Sequence, residues 1–312
     1  MYDERYSTTR CLITEKPNCF NNPTDGAITS LKTPAGDKNI TEGGLRLKGF
    51  FKAGSEGKPL ITVITVVYNG EDYLEDTIKS VIEQDYQNVE YIIVDGGSKD
   101  DTLEIIRKYE HAIDYWVSEP DKGIYDAMNK GLTLCSGEWI NFMNADDYFC
   151  NSSVLSRIDF KGADFIYGNV LMKDDDYFVR LGGKVDLQML LRSSMTPHQS
   201  VFVRRNVYRQ LGLFDLNYKI AADYEFSVRV FFNDYTCLYR EVDVAYMRMG
   251  GVSNVSFVAS LNEKLIIIKK YAGLVDYVIA LMFQYVYERP RNRLRVLLSS
   301  LGLLRYWRMI RG

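Results

Sequence analysis

The sequence predicts an α/β fold built on a mostly parallel, doubly wound sheet flanked by helices. Three observations carry that prediction. Apolar, β-branched runs recur between residues 60 and 143, segments of helical spacing separate them, and each run ends in a polar cluster. Strands alternating with helices at this pitch form parallel sheets, whose ligands bind beyond the carboxyl ends of the strands.

The elements follow in order. Leu60 to Val67 reads as a strand buried on both faces, because it is apolar throughout rather than alternating. Asp72 to Gln84 carries Leu74, Ile78, Val81 and Ile82 at helical spacing. Val89 to Val94 is a second strand, Asp101 to Tyr109 a second helix and Ile113 to Val117 a third strand. Ile124 to Cys135 then gives a helix and Glu138 to Met143 a fourth strand. The second half is less regular: strands are expected at Phe165 to Val170, Tyr177 to Leu181 and Gln199 to Val203, and helices at Ala222 to Phe232 and Leu261 to Tyr271. Residues 1–58 lack periodicity and read as an irregular arm, and Met249 to Ser253 as a hinge-like loop.

Composition narrows the function. A formal net charge of −3 gives no pull toward nucleic acid. Five scattered cysteines without paired spacing suit reduced thiols rather than a disulfide frame or zinc site, and two histidines are too few for a His-rich centre. The opening residues are polar and charged, so no signal peptide is expected, and the apolar stretch from Leu274 to Tyr287 is short for a membrane span. A cytoplasmic protein is therefore expected.

The strand-end clusters carry the chemistry. Asn144-Ala145-Asp146-Asp147 follows the last strand of the series. Adjacent acids there can hold Mg²⁺ or Mn²⁺, because hard cations take carboxylate oxygens and complete their shells with substrate phosphates. Read alone, the same residues make an ordinary turn. Asp95, followed by Gly96-Gly97, offers an acceptor to a nucleobase N–H where the backbone permits close approach; the bland account is an Asx-turn. Asp223 and Glu225 open a helix, where they are either dipole-stabilising acids or, for Asp223, a general base. His198, Arg248 and Glu225 are lesser candidates for acceptor or phosphate contacts. No Gly-x-Gly-x-x-Gly follows the first strand and no phosphate loop of the Gly-Lys-Ser/Thr type exists, which sets aside dehydrogenases and P-loop enzymes.

Pro59 to Asn69, Val94 to Asp100, Asp121 to Gly131 and Asn144 to Asp147 together resemble the family 2 glycosyltransferases of the GT-A, Rossmann-like fold. Within that family the chain is most similar to the bacterial enzymes that build O-antigen and capsule. The resemblance implies inverting transfer of a sugar from a nucleotide-sugar, usually a UDP-hexose, to a hydroxyl of a lipid-linked saccharide. It implies Asp95 at the base, with Val67, Tyr68 and Asn69 nearby, and Asp121, Asn129, Asn144 and Ala145 lining the donor pocket. It also implies Asp146 and Asp147 at the metal and Asp223 as base. This chain departs from many relatives by having Asn at 144, Gly at 96 and Met at 128.

The resulting organisation is an arm (1–58), a catalytic domain (59–256) and C-terminal helices (257–312). The last segment ends in a basic tail holding Arg289, Arg291, Arg293, Arg295, Arg305, Arg308 and Arg311. Such a tail suits an anionic membrane surface on the inner face of the cell membrane; packing on the domain or on a second subunit, as a homodimer, is the alternative. The competing functions are nucleotidyl transfer to a sugar phosphate, disfavoured by the acidic Asn69-Gly70-Glu71-Asp72, and a nucleotide-sugar-binding module without catalysis.

Overall fold

The computed structural model describes residues 4–20, 40–174, 177–192, 194–248 and 257–300. Residues 249–256 and 301–312 fall outside it, so the hinge-like loop and the last three arginines of the tail are not described.

The first half follows the sequence expectation. Strands β2 (Ile61–Val67), β3 (Val89–Asp95), β4 (Tyr115–Ser118) and β5 (Trp139–Phe142) lie parallel in the order β4-β3-β2-β5. All four are buried along their length, as apolar strands covered by helices on both faces should be. Helix α1 (Leu74–Ile82) buries Leu74, Ile78, Val81 and Ile82, the residues that gave its spacing. Helix α2 (Thr102–Lys108) follows β3, and α3 (Ile124–Leu134) packs where a side chain on Gly131 would strike Ile64 of β2. The register sets Val67 opposite Asp95 and Asp95 opposite Ser118, so three strands end level.

The second half makes the sheet mixed. β9 (Val201–Arg204) pairs antiparallel with both β5 and β7 (Phe165–Asp174), so β9 is the reversed strand and β7 runs in the direction of β5. The longest strand, β10 (Cys237–Arg248), runs parallel to β7 and was not foreseen. Its sequence reads Arg-Glu-Val-Asp through the middle, and two register shifts, between Tyr239 and Asp243 and between Asp243 and Ala245, break the alternation that marks a strand. Short β6 (Tyr148–Phe149) pairs with β10 and β8 (Tyr177–Leu181) with β7; with one further strand at its edge, the sheet has ten strands among the described residues. Helices α4 (Val154–Arg157), α5 (Leu187–Leu191) and α6 (Arg205–Leu211) are short, and α7 (Ala222–Phe232) matches its expected bounds.

Part of the N-terminal arm is structural. Residues Thr41–Gly43 form β1, antiparallel to β4 at the sheet edge. Behind it two buried ion pairs tie the arm to the sheet: Arg46 to Glu90 at 2.6 Å and Lys52 to Asp114 at 2.5 Å. Burial alone would raise the Glu90 carboxyl, but Arg46, the N–H and hydroxyl of Ser136 and the Thr62 hydroxyl together hold it at about 2. At the other end, helix 257–271 sinks Leu265, Ile267 and Ile268 into the core shared with α3 and α7. Helix 274–283, a π-helical turn at 284–288 and helix 289–300 follow. Among the described residues no helix is long and apolar enough to cross a membrane.

Replacing Arg46 with Met should leave Glu90 buried without its cation and cost about 3–5 kcal/mol, read by chemical denaturation at neutral pH. Because the folded Glu90 value lies below the unfolded value of about 4.3, its contribution is present above that value and fades as pH falls toward 2. Arg46→Met should therefore flatten the acid limb of the stability profile.

Candidate active site

The polar clusters at the strand ends meet along one edge of the sheet. Asn69, left-handed at φ 51°, turns the chain after β2 and accepts the Lys99 N–H, while its own N–H reaches Ser98 Oγ at 2.7 Å. Gly70 donates to Thr102 and Glu71 to Asp100, lacing the β2–α1 loop to the β3–α2 loop. From α1, Thr77 donates to the carbonyls of Ala145 and Asp147 and draws the 144–147 loop against the same edge.

Asp95 is wholly buried. Its carboxylate accepts from Gly97 and Ser98 N–H, from the Ser98 hydroxyl and from Ser118 Oγ at 2.6 Å. It thus shapes the loop and bridges the ends of β3 and β4. The surface above it belongs to Tyr68, 60% exposed, to Gly96 and to Asp121. A methyl group on Gly96 would overlap Asp121 Oδ2 and touch the Tyr68 ring at 3.4 Å. Glycine at 96 therefore leaves room for the Asp121 carboxylate to lie against the loop after β3. Its Oδ1 accepts the Gly123 N–H at 2.7 Å, no bond to Oδ2 is found among the described residues, and burial raises the carboxyl above its ordinary value.

From Asp121 the site continues through α3. The hydroxyl of Tyr125 lies 2.9 Å from Asp223 Oδ1 and 2.8 Å from the Ile220 carbonyl. Asp223, in the first turn of α7, has its other oxygen 3.5 Å from His198 Nδ1. His198 Nε2 in turn lies 2.9 Å from the Asn144 amide nitrogen. With the amide in that orientation Nε2 accepts, and the imidazole proton sits on Nδ1 facing Asp223. Burial would raise the Asp223 carboxyl, yet the His198 hydrogen bond and charge and the Tyr125 hydroxyl outweigh it and hold it below its ordinary value. His198 is moved the other way: burial lowers it, but Asp223, Asp147 and Asp146 leave it above the usual imidazole value.

The paired acids after β5 point differently. Asp147 is buried, accepting from Gln199 Nε2 at 2.8 Å and from the Arg248 N–H at 3.2 Å. Burial and the adjacent Asp146 charge push its carboxyl up to about 7. Asp146 is partly exposed, with no side-chain hydrogen bond among the described residues. Beside it Asn144 Oδ1 is buried and unpartnered. Among the described residues no three His, Cys, Asp or Glu side chains stand close enough to enclose a cation. The free carboxylate and orphaned amide oxygen do fit a hard cation whose remaining ligands come from a diphosphate.

Three other expected site residues turn elsewhere. Both ends of the Asn129 amide bind the Phe214 backbone, at 2.9 and 3.0 Å, closing α3 onto the segment before α7. Glu225 is buried and paired with Arg229, Lys270 and Tyr271, pinning helix 257–271 to α7. Arg248 lies over the Tyr73 and Tyr148 rings and is paired with Asp76 at 2.7 Å. Conversely, Tyr125, Thr77 and Gln199 were not singled out for the roles they hold. Tyr125 sits within a quoted motif and Gln199 opens an expected strand, but their contacts cross 98 and 52 residues of chain, which no local pattern discloses.

A sequence model of Glycosyl transferase family 2 matches residues 62–213. A PGL/p-HBAD biosynthesis glycosyltransferase of Mycobacterium bovis is 34% identical over 208 residues, covering 63% of this chain and 80% of the relative. An uncharacterized glycosyltransferase of Mycobacterium tuberculosis is 34% identical over 179 residues, or 55% of this chain and 68% of its own length. Among solved structures, S. aureus TarS 1-349 in complex with UDP-GlcNAc superposes with a TM-score of 0.60 at 19% identity, over 78% of both chains. A mannosyltransferase from Pyrobaculum calidifontis, bound to GDP-Man and Mn²⁺, gives 0.53 at 17% identity over 80% and 83%. The chain belongs to glycosyltransferase family 2, and it is a glycosyltransferase with the fold of those neighbours.

Proposed function

We propose that this enzyme transfers a sugar, with inversion, from a nucleoside-diphosphate sugar to a hydroxyl of a lipid-linked saccharide. The observation that carries the reading is the chain of contacts Tyr125–Asp223–His198–Asn144. It sets an ionised carboxylate beside the loop that offers Asp146. Attack by a hydroxyl needs a base on one side of the sugar and charge neutralisation of the departing diphosphate on the other. Asp223 supplies the first. The Tyr125 hydroxyl and the Nδ1–H of His198, held toward Asp223 by the contact of Nε2 with Asn144, fix its orientation. Asp146, with Asn144 Oδ1 beside it and Asp147 behind, would hold Mn²⁺ or Mg²⁺; when bound, such a cation would offset negative charge on the leaving diphosphate.

At the base, the expectation for Asp95 is recast. With its oxygens engaged internally, Asp95 positions the floor, and Asp121 Oδ2 is the acceptor we assign to a base N–H, with the Tyr68 ring as the stacking face. A uracil ring offers such an N–H, so the donor proposed is a UDP-hexose. TarS has been crystallised with UDP and UDP-GlcNAc, which supports that choice by fold alone. The Mycobacterium bovis relative is named for PGL/p-HBAD biosynthesis, which supports a lipid-linked acceptor. Surface polysaccharide assembly, on the cytoplasmic side of the membrane, is the pathway class proposed.

Asp223→Asn should keep donor affinity but lower transfer by about a hundred- to ten-thousand-fold; near-normal turnover would take Asp223 out of the base role. Asp146→Ala should remove the Mn²⁺ dependence of UDP binding seen by calorimetry, and an unchanged metal response would refute its place. Asp121→Asn should weaken UDP about ten- to hundredfold with little change in melting temperature, whereas unaltered affinity would return base recognition to another residue.

A further inference from the structure

Helix 274–283 shows one face to the core and the other to nothing within the described chain. Tyr277, Ala280 and Leu281 pack inward, and Asp276 pairs with Arg192 at 3.5 Å. Outward stand Leu274 at 79% exposure, Val275 at 71%, Met282 at 60% and, on the π-helical turn, Val286 at 73%. From Leu274 to Tyr287 every exposed residue is apolar or aromatic. The character then changes within one turn: Tyr285 and Tyr287 are half-exposed, and Arg291 and Arg293 follow, exposed.

Apolar, then aromatic, then basic is the order met on passing from hydrocarbon through the interface to anionic headgroups. A second copy of the chain is a poorer occupant. The two acids along this stretch are partly buried and engaged within the chain, Asp276 with Arg192 and Glu288 with Arg291 at a loose 3.8 Å. The face thus offers no free carboxylate to the arginines of another copy, while Arg293 stands exposed and Arg291 is held only weakly. Anionic lipid supplies that charge at every point.

We infer that the face from Leu274 to Val286, collared by Arg291 and Arg293, docks the enzyme onto an anionic lipid bilayer. The docking element is therefore the apolar helix rather than the basic tail alone. It is held rigidly to the catalytic machinery. Glu263 on helix 257–271 accepts the N–H groups of Lys219, Ile220 and Ala221 just before α7, and Lys270 and Tyr271 grip Glu225 within α7. The face thus stands two helices away from Asp223. As the site where a lipid-linked acceptor is met, this inference rests on the proposed reaction; the binding itself does not.

The test is co-sedimentation of the full chain with vesicles of phosphatidylcholine alone or with 30% phosphatidylglycerol. Wild type should bind the anionic vesicles and be released as salt rises. Val275→Glu with Val286→Glu should weaken binding at least tenfold, and Arg291→Gln about fivefold, with less salt dependence. Both positions of the double variant are exposed, so melting temperature and UDP-sugar hydrolysis without acceptor should match wild type. Undiminished vesicle binding by V275E/V286E would overturn the proposal. So would absent binding by wild type, above all if light scattering showed a dimer that the double variant loses. Vesicle binding in an enzyme that turns over no nucleotide-sugar would instead sink the proposed reaction and leave the docking face standing.

Discussion

The structure depends on how carboxylates gathered at the ends of buried strands are kept from repelling one another and from lying unsatisfied. Asp223 is the centre of that arrangement. Its oxygens are met by Tyr125 from α3 and His198 from the turn before β9, and His198 is met by Asn144 from the loop after β5. Four segments far apart in sequence are thereby fixed around one acid. In a partly desolvated setting such charge-assisted contacts are stronger than in water, and leaving one partner out costs more than the bond gains.

The acids divide into two kinds by what they touch. Asp95, Asp147 and Glu225 are buried and surrounded by donors, so they shape loops and join elements. Asp121 and Asp146 are partly exposed and each keeps a carboxylate oxygen without a partner among the described residues, and Asp223 keeps its charge. Gly96 makes the first of these possible. Any side chain there would take the space that Asp121 Oδ2 fills, so a missing Cβ on one loop places a carboxylate from another.

The C-terminal helices are part of the same economy of contacts. Helix 257–271 accepts backbone donors ahead of α7 and closes on its buried Glu225. The helix carrying Asp223, the proposed base, is therefore held from behind by an element whose neighbour presents an apolar face that no described residue covers. The proposed base and the proposed docking face are joined through about two layers of packed helix, and close-packed interiors transmit displacement.

The sequence by itself determined the parallel half of the sheet, because strands buried on both faces read as unbroken apolar runs and the helices between them keep a 3.6-residue period. It also determined that acids would collect at the strand ends, since each cluster is local. Only the tertiary structure decided which acids are free. That Asp95 is turned inward to Ser98 and Ser118, that Asp121 replaces it at the surface and that Asn129 clasps Phe214 are consequences of contacts between distant segments. The same holds for β10, whose bulges hide its alternation until β7 lies beside it. A residue's type fixes what it can bond; its partners are fixed by packing, and packing is set by the whole chain.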